Sequence, residues 1–233
     1  MMKIYNQLKA FIELVFPHVC LVCGNSLFVF EMEICHRCLQ RLPKTGFECL
    51  ADNPVEQLFW GKVKLDGATS MYYYRKEEKV QRLIHEVKYH GNKYLGYELG
   101  RQFGGVLKKA SGFNSSTVII PVPLHFRKLR LRGFNQSEVI ARGMAKTTDM
   151  EINTTCLVRN VHTASQTKKS KFERWQNVEG IFSVTDETAI ANQHILLVDD
   201  VVTTGSTLEA CVVAIQKAQP ATVRVATLAC AYL

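Results

Sequence analysis

Residues 195–208 constrain the fold more than any other part of the chain. The stretch opens with four apolar residues, as expected for a strand buried on both faces of a parallel sheet, and then reaches the adjacent carboxylates Asp199 and Asp200. A turn of small hydroxyl residues around one glycine follows at 203–207, and apolar residues at helical spacing resume with Leu208. The pattern predicts a strand, a small-residue loop and a helix.

Such a loop is suited to binding a phosphate. Unpaired amides at the turn and at the helix N-terminus point at an anion, and Gly205 allows close backbone approach. Hydroxyl donors are supplied by Thr203, Thr204, Ser206 and Thr207. Asp199 and Asp200 would repel a phosphate, so they should face a neutral hydroxylated group or a cation. A ribose diol beside a 5′-phosphate meets both demands, whereas an ordinary turn with N-capping hydroxyls explains the threonines but not the acidic pair.

This arrangement resembles the signature for 5-phosphoribosyl-1-pyrophosphate (PRPP) in type I phosphoribosyltransferases. In that signature an apolar run, two acidic residues and two spacers precede a Thr/Gly-rich phosphate loop, and here Ser206 stands where many members have a second glycine. The resemblance implies that residues 203–207 hold the 5′-phosphate and that Asp199 and Asp200 hold the ribose hydroxyls. It also implies that Mg²⁺ binds together with PRPP, mainly through the oxygens of the ligand.

Two cysteine pairs near the N-terminus predict a metal site. The pairs are Cys20 with Cys23 and Cys35 with Cys38, which together supply four thiolates for one tetrahedral zinc ion. Four cysteines close the coordination sphere, so the zinc is expected to be structural, in a small ribbon. We expect His36 to be solvated rather than a ligand. A redox pair is the lesser alternative, since the surrounding sequence does not resemble a thioredoxin-like βαβ unit.

Length and charge bound the remaining possibilities. The 233 residues allow one α/β domain with a small appendage, and a formal net charge of +8 favours anionic partners. Apolar residues at helical spacing between 4 and 15 are interrupted by Lys9 and Glu13, which argues against a signal peptide or membrane span and for a cytoplasmic protein. One predicted domain, 1–60, contains an N-terminal helix, the cysteine ribbon and a connector that begins at residue 42. The other, 61–233, is the phosphoribosyltransferase-like domain.

Two basic regions and one helix end are candidate anion contacts. Lys88 ends a predicted helix at 76–89, where it is either a helix-end cation or a pyrophosphate ligand. A buried strand at 118–123 is followed by a predicted loop that carries Arg127, Lys128, Arg130 and Arg132. These four cations are expected to bind the pyrophosphate of PRPP, and a solvated charge run is the alternative. A long polar segment at 159–180 contains Lys168, Lys169, Lys171 and Arg174 and is typical of a lid or of disorder. A strand at 181–184 is predicted to return to the main sheet.

Taken in order, these motifs resemble the ComF family of competence-associated proteins. The matching features are the four-cysteine ribbon, Lys88-Tyr89, Pro121-Val122-Pro123, residues 132–136, the spacing of Gln166, Arg174 and Asn177, and residues 198–208. The resemblance implies a type I phosphoribosyltransferase fold, a largely parallel sheet flanked by helices, preceded by a zinc ribbon. It also implies a role in DNA uptake during natural transformation, with a helicase-like ATPase called ComFA as partner in some bacteria.

Two functions are compatible with these residues. In the first, the protein binds PRPP and also single-stranded DNA, for which the candidate contacts are Arg127, Lys128, Arg130, Arg132, Lys168, Lys169 and Lys171. In the second, it is an active Mg-PRPP-dependent transferase with Asp199, Asp200 and Arg174 as catalytic residues and a base or amine as acceptor. The chain ends just after its last predicted strand, so we expect no C-terminal hood to recognise such an acceptor.

Overall fold

The computed structural model describes residues 18–75, 78–160 and 180–231. The predicted N-terminal helix lies outside the described residues. So do several residues of the polar segment that the sequence singled out, namely Gln166, Lys168, Lys169, Lys171, Arg174 and Asn177. In the part of the chain that is described, no helix is long and apolar enough to span a bilayer.

A five-stranded, all-parallel sheet forms the centre of the fold, with strand order β1-β7-β6-β2-β3. The strands are β1 (Gly67–Tyr74), β2 (Val118–Pro121), β3 (Glu151–Ile152), β6 (His194–Val202) and β7 (Thr222–Ala231). The apolar run that precedes the acidic pair is fully buried in β6, which lies between β2 and β7. The predicted mainly parallel fold is confirmed.

Helices cover both faces of this sheet. The α-helices of the described residues are α1 (His36–Gln40), α2 (Pro54–Gln57), α3 (Lys79–Tyr89), α4 (Lys93–Leu107), α5 (Phe126–Arg132), α6 (Gln136–Thr148) and α7 (Ser206–Gln216). Of these, α5 buries none of its residues. Leu196 and Val198 of β6 face a core shared with α3, α4 and α6, whereas Ile195 and Leu197 face a core shared with α7. Successive residues of the buried strand therefore serve opposite layers, which explains its unbroken apolar character.

Helices α4 and α6 approach each other closely at several glycines, among them Gly100 and Gly143. A Cβ atom at Gly100 would clash with the carbonyl oxygen of Ile140, and one at Gly143 would clash with the carbonyl oxygen of Tyr97. Because both glycines lie at the crossing, α6 is held firmly against α4. This packing fixes the direction from which the N-terminus of α6 meets the carboxyl end of β6.

The structure corrects two predictions about local structure. Residues 126–132 form helix α5 rather than a loop, because His125 Nδ1 accepts a hydrogen bond from the Arg127 N–H at the first turn and Gly133, with φ of 75°, ends the helix. The strand predicted at 181–184 forms as β5 (Phe182–Val184) but does not join the main sheet. It pairs antiparallel with β4 (Leu157–Arg159), an arrangement that needs no crossover connection.

The segment before β1 packs on both layers. Cys20, Ile34 and Cys38 of the cysteine ribbon belong to the core that contains α3 and α4. Val55 and Phe59 of the connector belong to the core that contains α7. The predicted division of the chain near residue 60 stays a prediction.

Candidate functional site

The turn between β6 and α7 forms a small recess at the carboxyl edge of the sheet. It has a cavity volume of about 50 Å³ and is lined by Asp199 and by residues 201–208. Gly205 is the N-cap of α7 and has a φ of 79°, and the hydroxyls of Thr204 and Ser206 lie 3.0 Å apart. The first amides of α7 have no partner within the helix, so the turn offers amide and hydroxyl donors to an anion.

The connector packs against this turn through Phe59. A Cβ atom at Gly205 would lie 3.2 Å from Phe59 Cε1 and 3.3 Å from Phe59 Cζ, and Phe59 itself is buried. Glycine is therefore required at position 205 for its positive φ and for the proximity of the Phe59 ring. The sequence predicted that Gly205 would lie in the phosphate-binding turn. It did not predict that the Phe59 ring would lie against this glycine.

Asp199 accepts two hydrogen bonds through one carboxylate oxygen. Its Oδ1 is 2.7 Å from the donor Ser137 Oγ and 2.8 Å from the donor backbone nitrogen of Asp200. Burial and the nearby charge of Asp200 raise the pKa of Asp199 to about 7, while the bond from Ser137 opposes that rise. Asp199 is therefore a carboxyl group whose charge changes near neutral pH.

Asp200 has a different environment from Asp199. Its side chain is buried, and its Oδ2 forms an ion pair of 2.9 Å with Lys88 Nζ at the end of α3. The predicted helix-end position of Lys88 is correct. The structure adds a role as the counter-ion of Asp200, which neither sequence alternative included.

Ser137 was not predicted from the sequence as a site residue, and it is almost completely buried. Its position follows from Asn135, the N-cap of α6: Asn135 Oδ1 accepts from the Ser137 N–H at 3.1 Å, and Asn135 Nδ2 donates to the Val122 carbonyl at 3.0 Å. The N-cap was readable from Asn135 and the helix after it. That the capped turn would face β6 depends on tertiary packing, which local sequence does not report.

The basic cluster of α5 lies at the same edge of the sheet, since it follows β2 and β2 is the neighbour of β6. In the described part of the chain, Arg127, Lys128 and Arg130 have no carboxylate within ion-pair distance. Arg132 donates to Gln136 Oε1 at 2.8 Å, and its guanidinium carbon is 5.2 Å from the ring centroid of Tyr89. Arg132 is thus held in place, and the other three cations are exposed to a ligand.

The four predicted cysteine ligands come together. The Sγ atoms of Cys20, Cys23, Cys35 and Cys38 all lie within 4.8 Å of one another, and those of Cys23 and Cys35 are 3.9 Å apart. A tetrahedral zinc ion with Zn–S bonds of about 2.3 Å places its sulfurs about 3.8 Å apart. The cluster therefore fits a metal ion such as zinc. His36 is exposed, and its ring contacts Gln40, as expected for a residue outside the cluster.

Backbone amides point at the sulfurs of this cluster. Cys20 Sγ accepts from the N–H groups of Cys35 at 3.3 Å and Val22 at 3.4 Å, and Cys35 Sγ accepts from the Cys38 N–H at 3.4 Å. Burial raises the pKa of Cys20, but the backbone hydrogen bonds outweigh it and lower the pKa to about 7. Cys20 is thereby favoured as a thiolate near neutral pH, whereas burial raises the pKa of Cys35 and of Cys38, and a bound cation would favour the thiolate form of all of them.

Comparisons with known proteins find similar chains. A family model described as the phosphoribosyl transferase domain matches residues 132–231. Competence protein F of Haemophilus influenzae is 28% identical over 210 residues, covering 81% of this chain and 86% of that protein. Competence protein ComFC of Bacillus subtilis is 25% identical over 215 residues, covering 82% and 85%. DNA utilization protein YhgH of Escherichia coli O157:H7 is 32% identical over 129 residues, covering 54% and 56%.

Solved structures are matched over part of this chain. A structure described as the allosteric regulatory enzyme of purine biosynthesis has a TM-score of 0.41 and 20% identity. The match covers 57% of this chain and 26% of that one.

Proposed function

Because the chain is a phosphoribosyltransferase-like protein of the ComF family, we propose that it binds Mg-PRPP at the turn between β6 and α7. The named relatives, a competence protein F, a ComFC and a DNA utilization protein, support a ComF-type role in the handling of DNA. PRPP is the ligand class that a ribose phosphate site in this family implies.

One observation carries the proposal. Asp199 Oδ1 is saturated by Ser137 and by the Asp200 amide, so Oδ2 is the oxygen left to accept from a ligand hydroxyl. The donor-rich turn begins within a few residues of this oxygen, and both line the same recess. An acceptor for hydroxyls beside a cradle for an anion is the combination that a ribose 5-phosphate requires.

Each group then has a distinct task. The amides and hydroxyls of residues 203–207 bind the 5′-phosphate, and Asp199 accepts from a ribose hydroxyl. The ammonium group of Lys88 pairs with Asp200, and its positive charge offsets the repulsion between the Asp200 carboxylate and the pyrophosphate. The Mg²⁺ ion, bound with the pyrophosphate, neutralises charge on its oxygens.

The test is a calorimetric titration of Mg-PRPP into the wild type and into Asp199→Asn. We expect saturable binding to the wild type and much weaker binding to the variant, which keeps the shape of the side chain but loses its charge. Asp149→Asn is the matched control, because Asp149 is an exposed carboxylate paired with Lys108 at the far end of α6. Absence of PRPP binding by a folded wild type would refute the proposal, and equal affinity of Asp199→Asn would refute the role of Asp199.

A second proposed function is binding of single-stranded DNA, for which the observation is the exposed basic surface of α5. Arg127, Lys128 and Arg130 project from a helix with no buried residue. Phosphate contacts by such cations make affinity fall steeply with salt. Affinity for an oligonucleotide that is flat between about 50 and 200 mM salt would contradict this function. A ComFA-like ATPase would be the protein partner in this role, as the family resemblance implies.

We also propose that the ion held by the four cysteines is Zn²⁺ in a structural role. All four ligand positions are protein thiolates, which leaves none for water or substrate. Metal analysis of the purified protein tests this assignment, for which about one zinc per chain is expected.

A further inference from the structure

Three aromatic side chains are exposed close to the basic helix. They are Tyr89 at the end of α3, Tyr94 at the start of α4 and Phe126 at the start of α5, with 61%, 45% and 40% of their surfaces exposed. Large aromatic side chains normally bury most of their area, so three at one edge of the fold call for an explanation. With Lys93, Arg127 and Arg132 they form what we call the aromatic–basic face.

The cations of this face lie against aromatic rings. The guanidinium carbon of Arg132 is 5.2 Å from the centroid of Tyr89, and that of Arg127 is 5.8 Å from the centroid of Phe126. Lys93 Nζ is 5.1 Å from the centroid of Phe134, whose ring is itself buried beneath the face. Positive charge and planar apolar surface therefore alternate over a short distance.

The face is continuous with a groove between α4, α5 and α6. The groove has a volume of about 600 Å³, and its walls include Lys93, Tyr94, Leu129 and Phe134. Arg132 lies between the groove and Tyr89. Its side chain lies over the Tyr89 ring, and the next residue, Gly133, lines the groove. A chain-like ligand could follow the groove from Tyr94 past Arg132 to Tyr89.

The charge of the groove is complementary to a polyanion. Its carboxylate Glu138 is already paired with Arg142 at 2.7 Å, whereas Lys93 has no ion pair in the described part of the chain. Cations alternating with exposed rings suit a ligand that carries both phosphates and flat apolar groups. A single-stranded nucleic acid has that composition along its whole length.

We propose that the aromatic–basic face binds single-stranded nucleic acid, with bases stacked on Tyr89 and Tyr94 and phosphates bound by Lys93, Arg127 and Arg132. This inference rests on the proposed DNA-binding function and names the surface that performs it. Lys88, next to Tyr89, is the residue paired with Asp200. The nucleic-acid surface thus begins at the rim of the proposed ribose phosphate site, and the strand and PRPP would bind as neighbours.

The test uses the full chain and a fluorescein-labelled oligo-dT of about 15 nucleotides, near the upper end of the site sizes of single-strand binding folds. Anisotropy gives its affinity for the wild type, for the double variant Tyr89→Leu/Tyr94→Leu, and for Trp60→Leu as a control. Trp60 is an equally exposed aromatic residue, at 59%, on the connector. We expect the double variant to bind roughly tenfold or more weakly and the control to bind like the wild type.

Salt dependence separates stacking from charge. The double variant keeps its cations, so its slope of log affinity against log salt should match that of the wild type, whereas Arg127→Gln should lower the slope by about one. Circular dichroism and Mg-PRPP titration of the double variant check that the fold and the neighbouring site are intact.

Three outcomes would overturn the inference. If the double variant binds oligo-dT as tightly as the wild type, the face is wrong although the DNA-binding function stands. If the wild type binds no oligo-dT, the proposed function fails and the inference with it. If a Glu-rich peptide binds with the same dependence on the tyrosines while oligo-dT does not, the face recognises a protein instead.

Discussion

Ser137 Oγ donates a hydrogen bond of 2.7 Å to Asp199 Oδ1, across 62 positions of sequence. The bond joins the first turn of α6 to the carboxyl end of β6, which are otherwise connected through packing. It has a chemical consequence as well as a structural one. Because the donor stabilises the charged carboxylate, it lowers the pKa of a group whose pKa is raised by burial and by the charge of Asp200.

Replacement Ser137→Ala should therefore shift the pH dependence of PRPP binding. Loss of a hydrogen bond to a charged group costs about 1.5–3 kcal/mol, and it leaves Asp199 harder to ionise. We expect Mg-PRPP affinity at pH 7 to fall and the pH of half-maximal affinity to move upward. Calorimetric titrations between about pH 6 and 8.5, bracketing the pKa of Asp199, measure both effects.

The control for this experiment is Ser183→Ala, which removes a β5 hydroxyl that donates to the side chain of Asn160, the residue after β4. The phosphates of PRPP titrate in the same range, but their contribution is common to all variants and cancels in the comparison. A Ser137→Ala curve that only loses affinity, with no shift along the pH axis, would show that Ser137 does not act through the ionisation of Asp199.

The raised pKa of Asp199 also predicts a pH-dependent stability. Its pKa is about 7 in the folded protein against 3.8 for the free side chain, so between these values the folded state binds the proton that the unfolded state has lost. The free energy of unfolding should therefore decrease as pH rises from about 4 to 7 and then level off. Asp199→Asn should remove this decrease, because its side chain does not ionise.

Urea unfolding of the wild type and of Asp199→Asn at several pH values tests this expectation. The informative quantity is the difference between the two proteins in free energy of unfolding, since every other titratable group of the chain is present in both. The variant should gain stability relative to the wild type with increasing pH. A difference that is constant from pH 4 to 8 would contradict the raised pKa of Asp199.

The elements that could be predicted from sequence are those whose signals are local. The strand and turn at 195–207 combine an unbroken apolar run, two carboxylates and a glycine, and all of these lie next to one another in the chain. The cysteine cluster was equally readable, since the chemistry of four thiolates at short spacing requires them to converge. In both cases the chemistry of neighbouring residues is enough to predict the local structure.

The parts that were wrong or missed depend on packing between distant segments. Helix α5 buries none of its residues, so its sequence carries no apolar periodicity to distinguish it from a charged loop. Strand β5 is only three residues long, and it pairs with β4 rather than with the main sheet. Because residues 160–181 separate the two strands in sequence, no local pattern predicts this pairing. The pairs Ser137–Asp199 and Lys88–Asp200 follow from how α6 and α3 dock on β6, which no local pattern encodes.

Zinc should stabilise the ribbon without forming part of the ribose phosphate site. Cys20 and Cys38 are buried members of the core that includes α3 and α4, and Glu33 of the ribbon accepts from Asn92, the N-cap of α4. Replacing either cysteine by serine should reduce the zinc content and lower the melting temperature. PRPP affinity should be largely retained, because the recess is lined by residues of β6, of the β6–α7 turn and of the start of α7, and by none of the ribbon residues.

Metal analysis and thermal unfolding of Cys20→Ser and Cys38→Ser test this prediction, with Cys49→Ser as the control. Cys49 is an exposed thiol outside the cluster, so its variant should keep full zinc content. Undiminished zinc in both ligand variants would refute the cysteine site. Complete loss of PRPP binding in an otherwise folded variant would instead show that the ribbon and the site are coupled through α3 and α4.

Gly205→Ala tests the phosphate-binding turn most directly. A non-glycine residue in the left-handed region costs about 1–2 kcal/mol, and the added Cβ would lie 3.2 Å from the Phe59 ring, which is tighter than an ordinary contact. Either the turn or the connector must move, and both changes disturb the amides that face the recess. We expect a lower free energy of unfolding and a loss of Mg-PRPP affinity that exceeds what the stability change alone would cause.

Gly105→Ala is the matched control for this variant. Gly105 lies within α4 with open space around its Cα, and its φ is not positive, so alanine there should raise helix stability by up to about 1 kcal/mol and leave PRPP binding unchanged. Urea unfolding and calorimetry on the two variants then separate backbone strain from the general effect of an added methyl group. If Gly205→Ala binds Mg-PRPP as tightly as Gly105→Ala does, the amides of the β6–α7 turn do not hold the phosphate, and the ligand must bind elsewhere on the carboxyl edge.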